Sequence, residues 1–318
     1  MKVVVTGGAG FVGANLCRLL TGRGDIEVVV VDDLSTGRRA NLEGMGVVLH
    51  ETSILEEDAL HGACAGATSV VHLAAVPSVP RSIVHPRRSH DVNVTGTLAV
   101  LDAARAVGAH VVVASSSSVY GHNQVLPKSE DMCCQPASPY AVSKLAAESY
   151  ALAYSSCYGT ESTAFRFFNI YGPLQPPDHD YAAVVPAFVA AALRGQPLIV
   201  HGDGEQSRDF TFVESVIEVL ARSVLQRTSA SRPINLAFGT RTTLNDLIKL
   251  LSALLGRPLD VEHRPERAGD VRHSQASATL LPELFPEVQA VSIEEGLSRT
   301  IAWMESTLSV AVGSELSR

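Results

Sequence analysis

The stretch "TGGAGFVG", residues 6–13, follows directly on the short β-branched run "KVVVT" at residues 2–6. Glycines at 7, 10 and 13 let a chain turn sharply out of a strand and let another group approach its backbone closely. The residues that follow, "FVGANLCRLLTGRG", carry apolar positions at helical spacing and stop at glycine. Strand, glycine turn and helix in that order form an anion cradle. The first N–H groups of the helix lack partners, and the helix dipole favours negative charge there. An unliganded strand–helix turn is the plainer reading. Its place behind the first strand instead points to a dinucleotide held by Gly7, Gly10, Phe11, Val12 and Gly13.

Asp32 closes the next apolar run, "EVVVVDD", at the distance where a carboxylate meets the adenosine ribose. Such a carboxylate accepts hydrogen bonds from the ribose hydroxyls and repels a 2′-phosphate, which favours NAD over NADP. Asp33 reads as its companion or as a solvated loop acid, and Ser35, Thr36 and Gly37 complete the loop. Arg38 and Arg39 are the opposing signal, because an arginine near the ribose favours NADP; they lie further along the chain.

Four more apolar runs follow: "GVVLH", "TSVVHLAA", "AHVVVASS" and "TESTAFRFF". Uniformly apolar strands alternating with helices predict a parallel sheet covered on both faces. Between the two middle runs, residues 86–108 read as one long helix, with proline in its first turn and glycine at its end. Residues 138–158 read as another. After Asn169 the texture changes to "NIYGPLQPPDHDY", dense in proline and turn formers. Shorter elements then suggest a smaller region laid over the first. With 318 residues the chain allows one large domain or two closely joined ones. The expected division is 1–168 for the dinucleotide domain, with about 212–240 packing back onto it, 169–305 for the second region, and 306–318 as a loose tail.

Charge and cysteine usage narrow the partners. The formal charge is −8 with no basic block, which argues against nucleic acid. No run reaches the roughly 18 apolar residues of a membrane span. Five cysteines without a CxxC pair fit a reducing, cytoplasmic compartment and offer no zinc site.

"SPYAVSK" places Tyr140 and Lys144 four apart, on one helix face. An ammonium beside a phenol favours the phenolate and brings its pKa down from about 10. The same spacing occurs by chance on solvated helices, but here it follows both a dinucleotide loop and the serine run "SSSSVYG". In combination, "TGGAGFVG", "VVDDLSTG", "VVHLAA", "NVTGTL", "SSSSVYG", "SPYAVSK", "RFFNIYGP", "RDFTFV" and "RPERAGDV" resemble the extended short-chain dehydrogenases/reductases, specifically the nucleotide-sugar epimerases and dehydratases. The likeness runs almost end to end. It implies a Rossmann-type doubly wound α/β domain with a smaller C-terminal α/β substrate-binding domain, NAD as cofactor, a UDP-sugar substrate and a homodimer.

The resemblance also implies roles for individual residues. Tyr140 takes the proton of the sugar 4-hydroxyl, Lys144 binds the nicotinamide ribose, and Ser116, four residues before Tyr120, is the catalytic hydroxyl. Ser115, Leu73, Ala74, Ala75, Asn93 and Phe168 are expected along the cofactor, and Asn169, Arg208 and Arg267 at the nucleotide diphosphate. Asp270 is expected near the nucleotide ribose, Val184 near the substrate, and the backbone around Leu198 and Val200 at the base. Many relatives carry Asp where this chain has Ser53 before Ile54, so the adenine contact there falls to a hydroxyl. Arg81 either approaches the sugar or diphosphate or caps the next helix.

The positions after Ser116 bear on the reaction. Dehydratases of this group carry an Asp-Glu pair there, and decarboxylating relatives a Glu in place of Ser118; this chain has Ser117 and Ser118. A hydroxyl cannot shuttle protons near neutral pH as a carboxylate can. What remains is inversion at C4 through a transient 4-keto sugar. Glucose/galactose or N-acetyl sugars are favoured. A UDP-glucuronate 4-epimerase is the alternative, with Ser117 and Ser118 reading the C6 carboxylate. A nucleotide-sugar reductase or dehydratase is a further one.

Overall fold

The computed structural model describes residues 1–177, 183–266 and 271–315, with side chains as far as 308. Its first half alternates strand and helix. In chain order come β1 (Lys2–Thr6), α1 (Phe11–Thr21), β2 (Glu27–Asp32), β3 (Val48–Glu51), α2 (Glu57–Cys64) and β4 (Ser69–His72). They are followed by α3 (Val79–Val84), α4 (Pro86–His90), α5 (Gly96–Ala106), β5 (His110–Ser116), α6 (Pro139–Tyr158) and β6 (Ser162–Phe167). The strands are parallel, and a seventh joins them from far along the chain, β11 (Ile234–Leu236), giving the order β11–β6–β5–β4–β1–β2–β3.

Both faces of this sheet are covered, which is why its strands read as continuous apolar runs. Val3, Val5, Val28 and Val30 face one side, against Leu16 and Leu20 of α1 and Val216 and Leu220 of α8 (Val213–Gln226). Val4, Val29, Val70 and Val111 face the other, against Leu60 of α2, Leu101 of α5 and Ala147 of α6. The strand order reverses between β1 and β4, and ligands of such sheets sit at that point, beyond the strands' carboxyl ends.

The later elements are short. They are β7 (Asn169–Tyr171), α7 (Val184–Leu193), β8 (Leu198–His201), β9 (Ser207–Arg208), β10 (Phe210–Phe212), β12 (Thr242–Thr243), α9 (Leu244–Leu255), β13 (Val261–Arg264), α10 (Leu280–Leu284) and α11 (Ile293–Glu315). Three two-stranded ladders, β7–β10, β9–β12 and β8–β13, hold them together.

Two expectations change. Residues 86–108 are not one regular helix: between α4 and α5, Asp91–Thr95 form a π turn. The widened turn places Asn93 inside the protein, and Gly96 follows where an added Cβ would sit 2.4 Å from Ile54 Cδ1. Of the tail expected at 306–318, residues 316–318 lie outside the described residues and 306–315 are helical. They continue α11, and Leu308 packs against the core.

Candidate active site

The glycine turn is built by close contact. Gly7 has φ +71°, and a Cβ there would lie 2.7 Å from the Ala74 nitrogen. A Cβ on Gly13 would lie 2.2 Å from the Gly7 carbonyl oxygen. Side chains are excluded at both, so the backbone lies bare where α1 begins. Gly10 precedes the helix without any side-chain cap, leaving the first N–H groups available to a ligand.

Asp32 is buried and already employed. Oδ2 accepts from the Ala9 N–H at 2.9 Å and Oδ1 from the Leu34 N–H at 2.9 Å. Burial raises its pKa and these two donors oppose the rise. The carboxylate therefore ties the glycine turn to the loop after β2. That loop is folded tightly: Asp33 Oδ1 accepts from the Ser35 N–H at 2.9 Å and hydroxyl at 2.6 Å, and Gly37 packs against Ala9 and Asp32. Arg38 and Arg39 lie outside the cleft lining, and Arg39 is paired with Glu51.

A cleft of about 470 Å³ opens over these groups. Gly7, Gly10, Phe11, Val12, Gly13, Asp32, Asp33, Ser35 and Thr36 line one end; Ser53, Ile54, Leu73, Ala74 and Ala75 line its walls; Ser115, Ser116, Tyr140, Lys144 and Phe168 line the other. The donor set fits a dinucleotide, with bare N–H groups for a pyrophosphate and a buried carboxylate for a ribose. Arg88 and Val92 also line the cleft. They stand four apart on one helical face, a spacing that signals little until the helix is placed. Asn93 lies behind the wall: its Oδ1 accepts from the Val76 N–H at 2.7 Å and its Nδ2 donates to the Val76 carbonyl at 3.2 Å. It braces the loop after β4 and does not line the cleft.

The catalytic candidates meet at the ends of β5 and α6. Ser138 caps α6, its hydroxyl accepting from the Ala141 N–H at 3.1 Å, and Pro139 starts the helix. That geometry turns Tyr140 and Lys144 inward. Lys144 is buried and donates to the Ala114 carbonyl at 2.9 Å, and burial lowers its pKa to about 8. Tyr140 is half-buried and lines the cleft. Burial raises its pKa and a hydrogen bond with Ser116 opposes the rise. The donation to Ala114 uses one of the three N–H groups of the Lys144 ammonium and leaves the others for a ligand.

Ser116 accepts at Oγ from both the N–H (3.2 Å) and the hydroxyl (3.0 Å) of Ser118. Its own proton is left to donate toward Tyr140 or a substrate oxygen. Ser117 and Ser118 open a short 3₁₀ turn and line neither cavity, so a role in reading C6 gains no support from their placement.

A second cavity, of about 360 Å³, adjoins the first at Ile170, which lines both. The consecutive Phe168 and Asn169 divide between them: Phe168 faces the first cavity, Asn169 the second. Val184, Ile199, His201, Gln206 and Arg208 also line the second. Arg208 is steadied by its own donations to the Ser207 carbonyl at 3.0 Å and the Arg272 carbonyl at 3.1 Å. Leu198 and Val200 are fully buried, and Ile199 and His201, on the opposite side of β8, meet the cavity. Arg81 lines neither cavity; its N–H donates to Ser78 Oγ, which caps α3. Arg267 and Asp270 lie outside the described residues. Among the described residues no group of three or more His, Cys, Asp or Glu side chains could hold a metal.

Residues 3–237 match the family described as the NAD dependent epimerase/dehydratase family. The chain is 35% identical over 314 residues to the UDP-glucose 4-epimerase of Mycolicibacterium smegmatis, covering 96% of this chain and 99% of the relative. Among solved structures it is 34% identical to a UDP-N-acetylglucosamine 4-epimerase from Methanobrevibacter ruminantium in complex with UDP-N-acetylmuramic acid. That match has a TM-score of 0.92 and covers 96% and 98% of the two chains. It is also 34% identical to a Thermotoga maritima UDP-glucose 4-epimerase with UDP-glucose, at TM-score 0.90 over 97% and 100%.

Proposed function

Because the chain belongs to the NAD-dependent epimerase/dehydratase family, we propose that it inverts C4 of a UDP-hexose, with UDP-glucose/galactose or their N-acetyl forms as substrate. One observation carries the reading: Ser116, Tyr140 and Lys144 line one cleft with the glycine turn and Asp32, and that cleft adjoins a second cavity lined by Arg208. NAD, when bound, supplies the hydride acceptor and donor at C4. Lys144 holds the cofactor's nicotinamide ribose. Tyr140 accepts the C4 hydroxyl proton, and Ser116, its proton directed outward by Ser118, orients the reacting oxygen. Asn169 and Arg208 hold the diphosphate end in the second cavity. The 4-keto sugar turns about its diphosphate link and takes hydrogen back on the other face, while Tyr140 returns the proton.

No carboxylate stands at 117 or 118 to carry elimination or decarboxylation. A C6 carboxylate as substrate group is the other arm of the test. Purified protein is offered UDP-glucose, UDP-N-acetylglucosamine and UDP-glucuronate without added cofactor, and proton NMR follows C4. Inversion of a neutral sugar supports the reading. Inversion of UDP-glucuronate alone reassigns the substrate. An unsaturated or decarboxylated product, or a requirement for added NAD(P)H, overturns the epimerase assignment.

A homodimer is part of the same proposal. Ile83 and Val84 on α3 are 64% and 65% exposed, and Val142 on the neighbouring α6 is 53% exposed. Light scattering is expected to give twice the chain mass, and a monomer would contradict it. The five free cysteines support a cytoplasmic setting, and no described helix is long and apolar enough to cross a membrane.

A further inference from the structure

One buried side chain near the cleft has no part in the chemistry above. His72 ends β4, is 4% exposed and is held at both ring nitrogens. Nδ1 lies 2.8 Å from Thr6 Oγ1, and Nε2 lies 2.9 Å from Thr97 Oγ1. The proton directions follow from counting donors. The Thr97 hydroxyl gives its single proton to the Asn93 carbonyl at 2.6 Å, so Thr97 can only accept from the ring. Nε2 therefore carries the hydrogen, and Nδ1 accepts from the Thr6 hydroxyl. Thr6 in turn accepts from the Ala74 N–H at 3.4 Å.

The chain continues beyond Thr97. Asn93 Nδ2 donates to Ser143 Oγ at 3.0 Å, and the Ser143 hydroxyl donates to the Tyr140 carbonyl at 2.7 Å. Two runs of hydrogen bonds, joined through the covalent frame of Asn93 between its backbone carbonyl and its side-chain amide, thus form a line from the strand end that opens the glycine turn to the residue carrying the reacting phenol. The π turn at Asp91–Thr95 is what allows it, since it swings Asn93 inward between Val76 and Ser143. Burial and the Lys144 charge bring the His72 pKa down to about 3, which keeps the ring in the neutral form that this line requires. A proton on Nδ1 would face Thr6 and break the sequence of donors.

We propose that His72 is a positioning residue: as the neutral Nε2–H tautomer it registers the first turn of α6, and with it Tyr140, against the cofactor-binding loops. The inference rests on the reading of Tyr140 as the proton-transferring group. It assigns the π turn and Thr97 to the reaction's geometry, as parts that touch neither cofactor nor substrate.

The test uses the full-length enzyme with UDP-glucose. His72→Phe and Thr97→Val each interrupt the line, and each is expected to lower kcat by at least about tenfold with KM and bound NAD little changed. The double variant is expected to lose no more than either single one, because both cut the same line. His72→Gln places an amide N–H where Nε2 stands and is expected to recover most of kcat. His72→Asn reaches only toward Thr6 and is expected not to. Nitrogen-15 NMR of the wild-type ring is expected to show hydrogen on Nε2.

Wild-type kcat in either interrupted variant, additive losses in the double variant, equal losses in Gln and Phe, or hydrogen on Nδ1 would each overturn the proposal. Should a His72 variant fail to fold, Thr97→Val and the NMR measurement still decide it. A wild type that inverts no UDP-sugar would instead remove the functional reading, and the tautomer would still be measurable.

Discussion

Tyr140→Phe is expected to lower kcat roughly 100- to 10,000-fold, the usual worth of a positioned proton-transfer group. KM for the UDP-sugar and the content of bound NAD should stay near wild type. The reason lies in which contacts the change removes. The phenylalanine ring keeps the cleft wall and α6 intact, so binding is preserved. Only the hydroxyl, poised between burial and its hydrogen bond with Ser116, is lost. Steady-state kinetics with cofactor content read from absorbance would check both halves. Turnover within tenfold of wild type would assign the proton to another group. A cofactor-free variant would mean that Tyr140 serves binding first.

The largest effect on stability is expected at a pair that lies behind the site. Glu148, one turn beyond Lys144 on α6, meets Arg166 of β6 in a two-pronged ion pair at 2.9 and 2.6 Å, both side chains 4% exposed. Glu148 also accepts from the Ser115 hydroxyl at 2.7 Å, and Arg166 donates to the Tyr120 hydroxyl at 2.9 Å. The Arg166 guanidinium lies 4.8 Å from the centre of the Tyr120 ring. One pair therefore joins α6, the end of β5 beside Ser116 and the end of β6 beside Phe167 and Phe168.

Glu148→Ala leaves a buried guanidinium without its counter-charge, and should destabilise the fold by about 3–5 kcal/mol. Replacing both members by Met removes the need for the charge altogether and should recover most of that loss. Urea unfolding of the wild type, the single variant and the double variant measures both. A loss below about 1 kcal/mol in the single variant, as for a solvent-exposed pair, would contradict the burial described.

The parts of the site legible in the sequence are those where local chemistry admits one solution. Glycines at 7 and 13 are demanded by backbone contacts of 2.7 and 2.2 Å, and no other residue type meets them. The four-residue step from Tyr140 to Lys144 fixes a shared face of α6 before any tertiary structure is known. Other features depend on contacts far apart in sequence. Asn93 was expected along the cofactor, and only the π turn shows it bracing Val76. The spacing puts Lys144 on the face of Tyr140, and only the closeness of Ala114 shows that one of its donations goes to that carbonyl. β13 is exposed along its whole length and has no alternation, so pairing with β8 alone defines it. Within the stretch from 198 to 200 expected at the base, only the fold shows which side chains are buried, Leu198 and Val200, and which meets the cavity, Ile199.

Hydrogen labelling at the reacting carbon tests the proposed chemistry most directly. UDP-glucose carrying deuterium at C4 is incubated with the enzyme in unlabelled water, without added cofactor, and the product is read by NMR and mass spectrometry. If the hydrogen removed from C4 is held in the closed site and returned to the opposite face, the galactose epimer keeps its deuterium. Loss of the label to water, or the absence of an inverted product, would contradict an epimerase working through Ser116, Tyr140 and Lys144.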